Sequence, residues 1–212
     1  MTDTPRTPSQ GTPPQWTPVA LSRDLAPATA IPVIAEGTEL ALWRGRSGRL
    51  AAWHDRCPHR GMRLSQGFVR DDMLSCLYHG WRYDLEGQCR KIPAHPELEP
   101  NKAICVPAWS VTEATGIIWV SETGSGAPPD TGALAPLRSL TVERSEDALR
   151  DHLGDGVVIE FDGLHLLLQG LPQGRCVLHA LTGPGLDAAG QRAASHRLEA
   201  LRTRFEDSED IA

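Results

Sequence analysis

Short apolar runs separated by turn formers dominate the chain from Trp16 onward. Runs at 31–34, 39–43, 50–53, 73–76, 81–84, 103–106 and 116–120 each read as a strand, with Gly37, Ser47-Gly48, Asp71-Asp72 and Glu86-Gly87 between them. That pattern predicts an antiparallel all-β domain over 16–122. Gly124, Gly126, Pro128, Pro129, Gly132 and Pro136 then crowd into a stretch whose composition is that of a linker, placed at 123–137. Beyond it, strands at 157–161 and 164–169 flank Asp162-Gly163, a dipeptide favoured in two-residue hairpin turns because both positions tolerate positive φ. A third strand is expected at 175–181. The period then changes: Ala194, Leu198, Leu201 and Phe205 share one face of a helix over 188–207. The fold class expected is mainly β, an antiparallel sandwich followed by a small α+β tail (138–212) of a short sheet and one C-terminal helix. Ahead of it, 1–15 is rich in Pro and Thr without apolar periodicity and reads as disordered.

Composition narrows the function. A formal charge of −6 argues against a nucleic-acid binder and favours partners with a basic docking face. No run approaches the ~18 apolar residues of a membrane span, and the first residues lack a secretory pattern, so the expected location is the cytoplasm. Five cysteines, an odd number, do not suggest a disulfide framework. Cys89, Cys105 and Cys176 are expected to be small residues in or near the core.

The chemistry concentrates in two loops, Cys57-Pro58-His59-Arg60-Gly61 and Cys76-Leu77-Tyr78-His79-Gly80-Trp81, which read C-x-H, a sixteen-residue gap, then C-x-x-H. Two thiolates on one iron and two imidazoles on the other are what a Rieske-type [2Fe-2S] cluster requires. Cys57, His59, Cys76 and His79 are therefore the candidate cofactor and metal ligands. Gly61 and Gly80 permit tight turns that aim backbone N–H groups at sulfur, Pro58 stiffens the first loop, and Trp81 can shield the cluster. Zinc also accepts two cysteines and two histidines, but zinc fingers usually group like ligands, whereas here each loop supplies one of each.

Arg56 to Gly61, Leu64-Ser65-Gln66-Gly67, Cys76 to Trp81, then Gly87 and Ile92-Pro93-Ala94 resemble the Rieske domain of Rieske non-haem iron oxygenases, from about Trp16 to Glu122. The variant resembled is the oxygenase type, because neither loop offers the extra cysteine that forms a disulfide in respiratory and photosynthetic Rieske proteins. The resemblance implies that Cys57 and Cys76 hold the buried ferric iron and His59 and His79 the outer one, with a potential at the low end of the Rieske range.

It also implies a mononuclear iron held by two histidines and a carboxylate, with the histidines close together on helices. His152, His165, His179 and His196 stand 13, 14 and 17 residues apart and do not match that pattern. His165 and His179 fall in strands, where satisfied sheet histidines are expected, and the acidic end (Glu206, Asp207, Glu209, Asp210) reads as a solvated face. The tail nonetheless resembles the last strands and closing helix of an oxygenase catalytic domain. The expected function is an electron-transfer component of a Rieske oxygenase system, with no catalytic residues of its own. It would take electrons from a ferredoxin or reductase and pass them singly to a mononuclear iron on a partner chain, in a hetero-oligomer. A free-standing Rieske ferredoxin and a structural or regulatory subunit are the competing readings.

Overall fold

The computed structural model describes residues 16–207. In chain order its elements are β1 (Thr17–Leu21), β2 (Thr29–Ala35), β3 (Thr38–Arg44), β4 (Leu50–His54), β5 (Phe68–Arg70), β6 (Met73–Ser75), β7 (Arg82–Tyr83), β8 (Cys89–Lys91), β9 (Ala108–Ala114) and β10 (Ile117–Ser121). They continue with β11 (Ala135–Val142), α1 (Glu146–Leu153), β12 (Ile159–Phe161), β13 (Leu164–Leu171), β14 (Arg175–Thr182) and α2 (Ala188–Asp207).

Three antiparallel sheets result: β1-β10-β9-β4-β3-β2, β5-β6-β7-β8 and β11-β14-β13-β12. The small sheet alternates in and out, with one register shift between Arg82 and Tyr83 where β7 pairs β8. Val69, Leu74, Tyr83 and Cys89 are cross-strand neighbours and all buried, sharing a core with Trp43, Trp53, Cys57 and Cys76. The 3₁₀ turn Leu64–Gln66 and β5 lie against β2, which seats the small sheet on the edge of the large one.

The mainly β architecture agrees with the sequence reading, and so does the hairpin at Asp162-Gly163, whose φ angles are 49° and 69° with Phe161 opposite Leu164. Besides β1, β5 and β8, which no expected run covers, four features differ. Residues 103–106 form no strand, only a bridge from Cys105 to Gln88, and the strand lies after Pro107 at β9. Only Trp109 of β9 is buried, so its mixed sequence carries little apolar signal. The linker ends early, because β11 starts at Ala135. Pro136 signalled a break, yet β11 is an edge strand with a bulge between Pro136 and Arg138, where a missing N–H costs no ladder bond.

The tail accordingly has four strands and two helices. Helix α1 is capped by Ser145, whose Oγ accepts from Ala148 N at 3.2 Å, with Glu146 and Asp147 in the first turn. The fourth difference is Cys105, which is exposed while Cys89 and Cys176 are buried. Helix α2 buries Ala194, Leu198, Leu201 and Phe205 as its period predicts, over a tail core that includes Leu149, Leu166 and Leu178.

A separate cluster joins the two halves: Trp16, Leu21, Ile117 and Trp119 pack with Leu167 and Leu181. Beside it, Gln169 Nε2 donates to the Ile34 carbonyl at 2.7 Å, tying β13 to β2. Among the described residues no helix is long and apolar enough to cross a membrane. The segment 1–15 and the acidic residues Glu209 and Asp210 lie outside the described residues. Glu206 caps rather than floats, accepting from Glu143 N at 3.1 Å and from Arg202 at 3.1 Å.

Candidate metal centre

The two loops are built alike. In the first, Cys57 N donates to Met62 O at 2.8 Å and Gly61 N to Cys57 O at 2.8 Å; in the second, Cys76 N donates to Trp81 O at 2.8 Å and Gly80 N to Cys76 O at 3.0 Å. Gly61 and Gly80 close these turns at φ 70° and 68°, the left-handed region where a side chain would add strain. The first loop joins the large sheet to the small one, and the second connects β6 to β7. Two separate sheets thus present matched turns to one point.

Side-chain placement splits the four candidates into like pairs. Cys57 and Cys76 are buried in the core behind the loops, close enough for thiol to meet thiol. His59 and His79 lie outside, ring centroids 4.6 Å apart, with His79 exposed and His59 half-buried. Among the described residues no three His, Cys, Asp or Glu side chains converge on one ion. A sulfur pair beneath an imidazole pair suits two irons bridged by sulfide and not a single tetrahedral zinc.

The electrostatics set the sulfur pair apart from the imidazoles. Burial raises the Cys76 thiol, and the Cys57 sulfur beside it raises it further, while the N–H groups of Tyr78 and His79 aimed at Cys76 oppose that shift. Two buried thiolates side by side are stable only around positive charge. Desolvation, then His79 and Arg60, lower His59, favouring the neutral imidazole that a metal needs.

The surroundings hold this arrangement. Trp81 stacks on His59 at 4.3 Å with an interplanar angle of 5°, and Tyr78 stacks on His79 at 3.8 Å. The shielding expected of Trp81 is thus directed at one imidazole.

Two groups escaped the sequence reading. Tyr83 puts its hydroxyl 3.1 Å from Cys57 Sγ; burial first, and Cys57 second, raise that phenol, so it stays protonated. Its signal was the alternation that turns position 83 inward from the exposed Arg82. Asp55 is wholly buried at the root of the first loop, accepting from Ser65 N and Ser65 Oγ at 2.7 Å each and from Arg63 at 3.3 Å. Glu39 completes the brace by pairing with both Arg56 and Arg63, the Arg63 hydrogen bond being the main reason its carboxyl is held below the usual range. A carboxylate next to a surface loop reads in sequence as solvated, and only the fold shows it enclosed.

The remaining histidines do not assemble. His179 is buried in β14, His165 half-buried in β13, and His152 and His196 are exposed on α1 and α2. As expected of a sheet histidine, His179 is satisfied: Nδ1 lies 2.7 Å from Ser139 Oγ and Nε2 2.9 Å from Gln169 Oε1.

Comparison with known proteins adds relatives to this geometry. The family model described as Rieske [2Fe-2S] domain matches residues 15–109. The chain is 38% identical over 149 residues to oxidoreductase NdmD of Pseudomonas putida, covering 70% of this chain and 24% of that protein. It is 36% identical over 107 residues to the 3-chlorobenzoate-3,4-dioxygenase oxygenase subunit of Comamonas testosteroni, covering 50% of this chain and 25% of that one. The chain therefore spans about a quarter of these relatives' lengths. In fold it is similar to NdmA of Pseudomonas putida CBB5, with a TM-score of 0.73 at 16% identity over 93% of this chain and 82% of that one. Loops, fold and relatives together make residues 15–109 a Rieske [2Fe-2S] domain of the kind carried by Rieske non-haem iron oxygenases, with a Rieske-type [2Fe-2S] cluster as its cofactor.

Proposed function

We propose that this chain is the electron-transfer component of a Rieske oxygenase system, taking electrons from a reductase or ferredoxin and delivering them singly to a mononuclear iron on a partner chain. Cys57 and Cys76 would hold the inner iron, and His59 and His79 the outer one. The observation that carries the reading is the polarity of the site: sulfur ligands inside the core, imidazoles at the surface. When bound, the cluster supplies one-electron storage at a potential between about −150 and +300 mV, above that of all-cysteine ferredoxins.

The chain's own residues do the rest. The paired turns fix ligand spacing through the four backbone bonds around Cys57 and Cys76. The Asp55, Arg63 and Glu39 brace holds the first loop against the large sheet, and Trp81 and Tyr78 limit ring rotation of the two histidines. Half-exposed imidazole edges let a partner approach without opening the core.

Metal analysis with a redox titration of the purified chain tests this. The expected result is two irons and two acid-labile sulfides per chain and a reversible one-electron wave, both lost in Cys76→Ser. Adding the wild-type chain to its longer oxygenase partner should restore turnover that Cys76→Ser does not. A partner fully active alone would overturn the transfer role, and zinc in place of iron would overturn the ligand assignment.

A further inference from the structure

The small sheet has a second face. Phe68, Ser75, Arg82 and Lys91 are successive cross-strand neighbours, forming one row across β5, β6, β7 and β8 on the side opposite the buried row of Val69, Leu74, Tyr83 and Cys89. Phe68 is 56% exposed, and Arg82 and Lys91 are exposed. The row abuts the second cluster loop, since Ser75 precedes Cys76 and Arg82 follows Trp81.

Its charge is positive. Arg82 and Lys91 are partners across β7 and β8 at an irregularity that leaves Arg90 out of the register, and like charges so paired disfavour strand pairing. Neither makes an ion pair among the described residues, nor do Arg60 and Arg70, although the chain as a whole carries −6. Two acidic residues in the turns of this sheet are engaged elsewhere: Asp84 by Arg90 and by the backbone of Glu86 and Gln88, and Asp72 by the Ser47 backbone. Leu77 and Tyr78, 45% and 59% exposed at the loop tip, add apolar surface beside these cations. Aromatic and arginine side chains around a small apolar centre are the composition of a transient protein interface.

Resting on the electron-transfer reading above, we propose that the outer face of β5 to β8 is the docking surface for an acidic iron–sulfur electron donor. The negative face of that protein lies over Arg82 and Lys91, with its apolar contacts on Phe68 and Leu77. One electron then passes from the donor's reduced cluster, which is oxidised, to the cluster of this chain, which is reduced. The location favours a redox protein over an anionic membrane, because the row borders the imidazole-bearing loop and a bound donor would be held within short reach of His79. The basic partner expected from net charge alone is thereby replaced, at this face, by an acidic one.

Calorimetric titration of the full chain with a plant-type [2Fe-2S] ferredoxin, both proteins oxidised, reads docking separately from electron transfer. Binding should weaken several-fold as salt rises from ~20 to ~200 mM. The double variant Arg82→Glu, Lys91→Glu should raise Kd about tenfold or more at low salt, with the cluster's potential and absorption unchanged. Reversal of the remote helix residue Arg192→Glu should change Kd less than twofold. Salt-independent binding, or equal loss in the Arg192 variant, would overturn the proposal. So would binding to phosphatidylserine vesicles but not to ferredoxin, or self-association of the chain that the double variant abolishes. A cluster that takes up no electron from a photoreductant would instead overturn the function reading, leaving the titration to judge the surface alone.

Discussion

Tyr83 is the side chain whose hydroxyl touches a candidate sulfur ligand, Cys57. With Cys57 as a thiolate ligand, as proposed, the sulfur has no proton to give and the phenol 3.1 Å away would donate to Cys57 Sγ. That bond stabilises the more electron-rich reduced state. Tyr83→Phe should lower the potential by about 40 mV, taking ~1 kcal/mol for the bond and 59 mV per tenfold for one electron. A voltammetric shift upward, or none, would show that the phenol does not reach the sulfur in the loaded protein. At this scale the candidate ligand set could be named from sequence, because iron and sulfide chemistry dictate residue type and local spacing. Tyr83 and Asp55 were not, since their partners lie 26 and 10 positions away in sequence.

Among elements, α2 was the easiest to read and β11 the hardest, for related reasons. Ala194, Leu198, Leu201 and Phe205 repeat along one helical face, and every one of them is buried. Leu198→Ala should destabilise the chain by about 2–5 kcal/mol, seen as a fall in the urea midpoint with little change in slope. A loss near zero would mean that α2 is not part of the cooperative fold. The opening of β11 carries Pro136, a breaker whose tolerance depends on being at a sheet edge, and edge position is a tertiary property. Helix α1 had a readable start in Ser145 with two acidic residues after it, but eight residues give too little period to register.

At the scale of the whole molecule, His179 couples the halves to pH. It links β14 to Ser139 and Gln169, and Gln169 reaches Ile34 in the Rieske domain. Burial pushes its folded pKa down to about 4, against the ordinary 6.5. Between those values the unfolded chain binds a proton that the folded one does not, so this histidine's contribution is complete above about pH 6.5. It is lost progressively as pH falls toward 4, by up to ~3 kcal/mol. Thermal melts across that window should show a steeper decline for wild type than for His179→Gln, and parallel curves would remove His179 as the cause.

The sequence by itself determined the candidate chemistry: four candidate ligands in two matched loops, the glycines that close them, the Asp162-Gly163 hairpin and the buried face of α2. Each follows from residue type and spacing within a few positions. Only the tertiary structure decided which ligands face inward, what hydrogen-bonds to Cys57, and that two opposed cations share an outer row with Phe68. Those depend on which strands become neighbours and on what burial removes from water, which no local spacing records.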